Sequence, residues 1–282
     1  MIRTFKTNQQ MEQFLKDGNP SGYLNIAQDT DNIVFSTNNI SGELLKYRGK
    51  ITDIDYFGVP DDEIWYKTSD NSILNLTDST FGNATVVSNT FDGEKGIIKF
   101  DKAVTEIGAD AISYKSKITD LYLPLTITKI NNTGLRFLGN INCYLYLPNS
   151  LKTIGTSTFQ NLGNTAYTNA DKLIVDLSHT QIEELPASCF ASGGAIRKIM
   201  FPSTLQSINA TALGWCAIIT DFVQIFDFSK CKQIPTITSV TTNNNPLDLK
   251  STSFKIIVPE SLYDEWKETQ YWSVYKKFIV KA

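Results

Sequence analysis

The chain has 282 residues, 41% hydrophobic and 20% charged, with a net charge of −3 and a pI near 5.3. That balance belongs to an ordered protein with a sizeable core, long enough for one elongated domain and a smaller one. It excludes the basic footprint of nucleic-acid binding, and no window of about 20 apolar residues is present to insert into a membrane.

In chain order, Thr7 or Asn8 is a candidate cap for a short amphipathic helix that carries Met11, Phe14 and Leu15 and stops at Gly18. Residues 1 to 20 lack the apolar stretch of a secretory signal, so the expectation is a protein that is not exported by that route or has lost a leader. Tyr23 to Ala27 and Ile33 to Ser36 read as strands around a polar turn, and Glu63 to Lys67 as another. The expected organisation is residues 1–50 as a helix and β segment able to dock to something else, 51–95 as a β-rich cap, 96–259 as a repeat array, and 260–282 as a C-terminal cap.

The array is marked by residues that each end a short strand: Asp101, Pro124, Pro148, Ser178, Pro202, the degenerate Ser229, and Pro259, separated by 23 to 30 residues. One and three positions before each of them the residue is apolar, as in Leu145 and Leu147 or Ile199 and Phe201. Further apolar anchors follow, such as Leu151, Ile154 and Phe159, and the Ser178 copy carries the same set one residue late, at Ile182, Leu185 and Phe190. Alternation makes a strand with one face inward, and proline ends it because it has no N–H for a ladder. One copy alone cannot bury these anchors, so the copies must stack.

The units Leu-Tyr-Leu-Pro-Asn-Ser-Leu-Lys-Thr-Ile-Gly-Thr-Ser-Thr-Phe (145–159) and Phe-Pro-Ser-Thr-Leu-Gln-Ser-Ile-Asn-Ala-Thr-Ala-Leu (201–213) resemble the repeat of the BspA-like leucine-rich repeat family. The resemblance implies an irregular α/β repeat solenoid, right-handed, with one strand per repeat, preceded by a small helix and a β-rich N-terminal region. It implies surface recognition or adhesion in bacteria or on their phages, and it carries no catalytic residues. Two departures stand out: Asn131 replaces the glycine expected after Ile130, and the copy at 221–237 is eroded. Beyond it, Leu262, Tyr263 and Trp266 share a helical face suited to closing the open core.

The residue between the two inward strand positions should face outward. These residues include Tyr122, Tyr146, Asp176 and Met200, with Tyr144 on the same face. An exposed aromatic cluster on a rigid face suits contact with a sugar or a protein, and the same residues equally suit a cross-strand ladder that only stabilises the sheet. Tyr122, Tyr144, Tyr146, Met200 and Asp176 are therefore the candidate ligand-binding residues.

No metal, cofactor or catalytic site is expected. Asp29 to Asn32 and Asp61 to Glu63 offer hard oxygens but lack calcium-loop spacing and read as turns. His179, the single histidine, lies near Asp176, Ser178 and Glu183 without a glycine elbow or oxyanion loop. Cys143, Cys189, Cys216 and Cys231 show no C-x-x-C spacing and read as buried free thiols.

The function expected is non-enzymatic recognition, in a phage virion protein of the head or tail fibre type that is assembled in the host cytoplasm. Its partners would be a host surface protein or glycan, other virion proteins through the N-terminal region, and further copies of itself. A bacterial cell-surface adhesin without its leader, and a glycan-active enzyme using the repeats as scaffold, are the alternatives.

Overall fold

The computed structural model describes residues 59–76, 78–141, 144–163, 173–193, 196–216, 223–242, 244–249 and 253–282, together with the backbone of four strands between residues 2 and 49. The chain forms two compact units, Met1–Gly58 and Val59–Ala282.

In the first unit, β1 (Ile2–Phe5) runs parallel to β2 (Leu24–Asp29), and β3 (Asn32–Asn38) and β4 (Leu44–Gly49) follow antiparallel, in the order β1-β2-β3-β4. Asp29 pairs with Asn32 at the end of the β2–β3 ladder, and the two residues between them in the expected turn lie outside the described residues. The helix expected between Thr7 and Gly18 lies outside the described residues.

The second unit opens with an antiparallel sheet, order β6-β7-β5-β9, built from β5 (Glu63–Thr68), β6 (Val86–Phe91), β7 (Gly96–Phe100) and β9 (Ile118–Tyr122). Ile64, Tyr66 and Thr68 alternate inward along β5. The Tyr66 ring covers Gly96, where a Cβ would lie 2.0 Å from it. Its hydroxyl donates to Asn89 Oδ1 at 2.7 Å and accepts from the Leu74 N–H at 3.1 Å.

Six parallel strands follow: β11 (Tyr144–Tyr146), β13 (Leu173–Asp176), β15 (Ile196–Met200), β17 (Gln224–Asp227), β19 (Phe254–Val258) and β20 (Ile279–Lys281). Their inner positions form one in-register row, Leu145, Val175, Ile199, Phe226, Ile256 and Ile279, and all six are buried. The eroded copy keeps this register, because Phe226 and Phe228 supply its inward positions; Phe228 stacks on Phe201 at 4.2 Å.

One strand per repeat was expected, and the structure corrects this to two. Each copy adds a short strand where the middle anchor sits: β8 (Glu106–Ile107), β10 (Lys129–Ile130) and β12 (Thr153–Ile154) in one parallel sheet, and β14 (Glu184–Leu185), β16 (Ser207–Asn209) and β18 (Thr236–Thr238) in another. Ile107, Ile130, Ile154, Leu185, Ile208 and Ile237 point into the core from them. These runs of two or three residues are too short to show an alternation of their own.

The third anchors, Ile112, Leu135, Phe159, Phe190 and Leu213, are also buried, with Phe159 and Phe190 stacked at 5.0 Å. They sit in turns whose N–H groups bond to the next copy, as from Ile112 to Gly134 O at 3.0 Å and from Phe190 to Ala212 O at 2.8 Å. Cys189, Cys216 and Cys231 are buried free thiols as expected, whereas Cys143 lies outside the described residues. Burial pushes Cys216 and Cys231 up to about 12, which keeps both thiols protonated at neutral pH.

At the end, a 3-10 turn (Glu260–Leu262), α1 (Tyr263–Glu268) and a second 3-10 turn (Trp272–Tyr275) fold over the last copy before β20 extends the parallel sheet. Trp266, Trp272 and Tyr275 are buried here.

Candidate functional site

The strand face is built by the six parallel strands. Between the inward residues, Asp176, Met200, Asp227 and Ile257 stand in one row, because each is the ladder partner of the next, and the backbone of Tyr146 pairs with Asp176 at its head. Ile174, Lys198, Ile225 and Lys255 stand in a second, with the backbone of Tyr144 paired to Ile174. The alternation that places a residue between two core anchors thus also places it opposite its counterpart in the neighbouring copy.

Tyr122 departs from the expected cluster in two ways. It belongs to β9, in the antiparallel sheet, where it faces Trp65 of β5 and is no part of the row of Tyr146. It is also only 5% exposed, so the expectation of an exposed Tyr122 is corrected. The physical reason is that β5 inserts an extra strand beside β9 and sets the larger Trp65 directly across from Tyr122. Of Tyr144 and Tyr146 the backbone is described, in β11, and places them at the first and third positions of that strand. Met200 is half-buried, between two carboxylates in the ladder.

Asp176 and Asp227 are buried, and each shapes the chain where the strand-ending proline is missing. Asp176 Oδ1 accepts the Ser178 N–H at 2.8 Å, and Asp227 Oδ1 accepts the Ser229 N–H at 3.0 Å. In both copies an aspartate two positions before a serine therefore makes the turn that proline makes elsewhere. Asp176 was expected as a ligand contact; its position supports a turn role as well.

The Asp227 carboxylate is further held by Lys198, whose Nζ lies 2.6 Å from Oδ2. Burial raises the pKa of Asp227, but the hydrogen bonds from Lys198 and from Ser229 outweigh it and leave the group below its ordinary value. A depressed folded-state pKa adds stability that is fully present above the unfolded value, about 3.9, and is lost as pH falls through the folded value. Lys198→Met removes the largest of these bonds and is expected to destabilise by about 1–2 kcal/mol at pH 7. Urea unfolding of both proteins between pH 2 and 7 checks this, with the gap between them closing as Asp227 protonates.

His179 occupies the extra residue of the Ser178 copy. Its Nε2 contacts the Leu147 carbonyl of the preceding copy and its Nδ1 lies 3.6 Å from Asp176 Oδ1. Ser178 Oγ accepts instead from Lys230 Nζ at 3.0 Å. With Nε2 turned to the backbone carbonyl of the preceding copy, His179 tethers one copy to the next. Asp62 and Glu63 each lie 3.1 Å from Lys99 Nζ, so the lysine ammonium balances charge at that acidic turn. Among the described residues no group of three or more His, Cys, Asp or Glu is placed to hold a metal ion.

Two surface features escaped the reading of the strand face. One is an open cleft of about 610 Å³ where the sheet ending at β12 gives way to the sheet beginning at β14; it is lined by Lys152, Thr153, Gln181, Glu183 and Glu184, among others. Its signal in the sequence is the one-residue delay of the Ser178 copy, since Leu147 and Leu151 are four apart whereas Leu177 and Ile182 are five apart. The other is a row of turn residues that includes Tyr114, Phe137 and Trp215, each two positions after a third anchor.

No curated protein matches the chain. Residues 105–233 match the family model described as the BspA type leucine rich repeat region, in six copies. The segment from just before β8 to the turn after β17 is therefore similar to BspA-type leucine-rich repeats, and the two-strand copies that stack in register are a repeat fold.

Proposed function

We propose that this chain is a non-enzymatic recognition module, a solenoid of BspA-type repeats whose strand face meets a protein or glycan on a host surface. The observation that supports this best is the pair of in-register rows between the inward positions of β11 to β19, a surface fixed by the ladder. The six-copy match supports a protein-binding or adhesion type of module. Within that class the reading is a phage virion protein of the fibre type, with the separate compact unit Met1–Gly58 as its attachment to the particle.

Two measurements test this. Tyr146→Ala combined with Met200→Ala is expected to weaken binding to whole host cells at least tenfold, with secondary structure unchanged; undiminished binding would remove the strand face from the account. Mass spectrometry of density-purified phage particles should recover the chain. Recovery from the bacterial surface alone would assign it as an adhesin instead.

A further inference from the structure

The residue two positions after the third anchor forms a second row, on the turns rather than on the strand face. Tyr114, Phe137, Asn161, Ser192 and Trp215 occupy it, and all five have φ between 56° and 60°. Each donates its N–H to a carbonyl of the following structural segment: Tyr114 to Arg136 at 2.9 Å, Phe137 to Gln160 at 2.9 Å, Asn161 to Ala191 at 2.9 Å, Ser192 to Gly214 at 2.8 Å and Trp215 to Asp248 at 3.1 Å. The five side chains therefore stand one rung apart, about 5 Å at strand spacing.

Left-handed backbone suits glycine and is tolerated by asparagine, as at Asn161, whereas a bulky ring gains nothing from it. Yet three of the five residues are aromatic. Tyr114 and Phe137 stack with centroids 4.6 Å apart and planes at 18°, and Tyr114 remains 60% exposed, so the pair presents a flat ledge to solvent. The Arg136 guanidinium lies 4.6 Å from the Phe137 ring and 5.6 Å from that of Tyr114. It makes no ion pair among the described residues, and its Nε is buried without a hydrogen-bond partner. A charge that pairs with no carboxylate, beside an exposed ring face, is complementary to an anion attached to a flat apolar body.

We propose that Tyr114, Phe137 and Arg136 form a binding site for a carboxylated sugar of an acidic glycan. The apolar face of a pyranose ring stacks on Tyr114, and its carboxylate takes paired hydrogen bonds from the guanidinium. The row continues through the polar Asn161 and Ser192 to Trp215, which is 55% exposed, so a linear oligosaccharide has further groups to follow. An acidic peptide would use Arg136 and leave the ledge bare, and a neutral sugar would use the ledge and leave the charge unpaired. This surface is distinct from the strand face, and neither reading depends on the other.

Calorimetric titration of the full chain with oligogalacturonate and with sialyllactose tests the site and separates uronic from sialic acid sources. Binding of at least one is expected, weakening as salt is raised and exceeding that of a cello-oligosaccharide at least tenfold. Tyr114→Asn places at this rung the residue that the Asn161 rung already holds, so the melting temperature should be preserved while affinity falls at least tenfold. Arg136→Gln should abolish the preference for the acidic sugar. The proposal is overturned if neither acidic saccharide binds, if Tyr114→Asn binds as tightly as the parent, or if poly-L-glutamate binds as well as oligogalacturonate. A fall in melting temperature with unchanged affinity in Tyr114→Asn would likewise overturn it, leaving the ring stack as a purely stabilising contact.

Discussion

Trp266→Ala is expected to destabilise the unit Val59–Ala282 by about 3–5 kcal/mol, the largest loss of any single substitution considered for the C-terminal cap. Trp266 is fully buried on α1, with its ring 5.5 Å from Phe228 and 5.3 Å from Trp272, and Trp272 in turn lies 5.4 Å from Phe228. This aromatic cluster covers the last inward row of the array, which would otherwise face water. At about 2–4 °C per kcal/mol for a unit of this size, the melting temperature should fall by about 6–20 °C. Because each copy rests on its neighbours, hydrogen exchange should accelerate first around β17, β19 and β20 and only later near β10 and β12.

A more conservative pair of substitutions separates packing from hydrogen bonding in the same cluster. The indole Nε1 of Trp266 is buried without a partner, so Trp266→Phe removes an unsatisfied donor as well as volume and should lose less than about 1.5 kcal/mol. The Nε1 of Trp272 donates to the Pro235 carbonyl at 2.7 Å, so Trp272→Phe leaves that carbonyl unpaired and should be the more harmful of the two. Equal melting curves for Trp266→Ala and the parent protein would mean that the cap does not belong to the cooperative unit.

The helix over Tyr263–Glu268 was legible because Leu262, Tyr263 and Trp266 repeat at helical spacing, and the inner rows were legible because the copies repeat them at the same offset from a proline, serine or aspartate. What stayed hidden depends on pairing between distant residues. Nothing in Glu63 to Thr68 announces that this strand inserts between β7 and β9, and that insertion is what sets Trp65 across from Tyr122. The short strands β8 to β18 exist because their N–H and C=O groups meet the equivalent residues of neighbouring copies, which a two-residue segment cannot advertise. The candidate site was half legible: the order of ladder partners from Tyr146 to Ile257 followed from alternation, whereas the burial of Asp176 and its bond to Ser178 required the turn geometry. The turn row was missed because a tyrosine, phenylalanine or tryptophan is a poor sign of left-handed backbone, a conformation that costs such a residue about 1–2 kcal/mol.

The second large effect is expected at Gly155, where the glycine of the repeat is kept for space rather than for backbone freedom. A Cβ there would stand 2.3 Å from the Asn132 backbone nitrogen and 2.6 Å from the Asn131 carbonyl carbon. The two copies are drawn together at this point by the bond from Gly155 N–H to Ile130 O at 2.8 Å and by that from Thr156 N–H to Asn132 Oδ1 at 2.9 Å. Gly155→Ala must therefore push one copy off the other and break rungs on both sides, costing about 3 kcal/mol, at the upper end of overpacking penalties. Asn132→Ala combined with Gly155→Ala should not rescue the loss, because the clashing atoms include backbone that no side-chain change removes. Gly93 provides the contrast: its φ is 101° and nothing lies within 4 Å of a Cβ built there, so Gly93→Ala meets strain in its own backbone and none from a neighbour. Urea unfolding should show a lower midpoint for Gly155→Ala with an unchanged slope, and a smaller drop for Gly93→Ala. A parent-like midpoint for Gly155→Ala would mean that the copies are free to slide apart by the missing ångström, and close backbone approach would then no longer explain the glycine of the repeat.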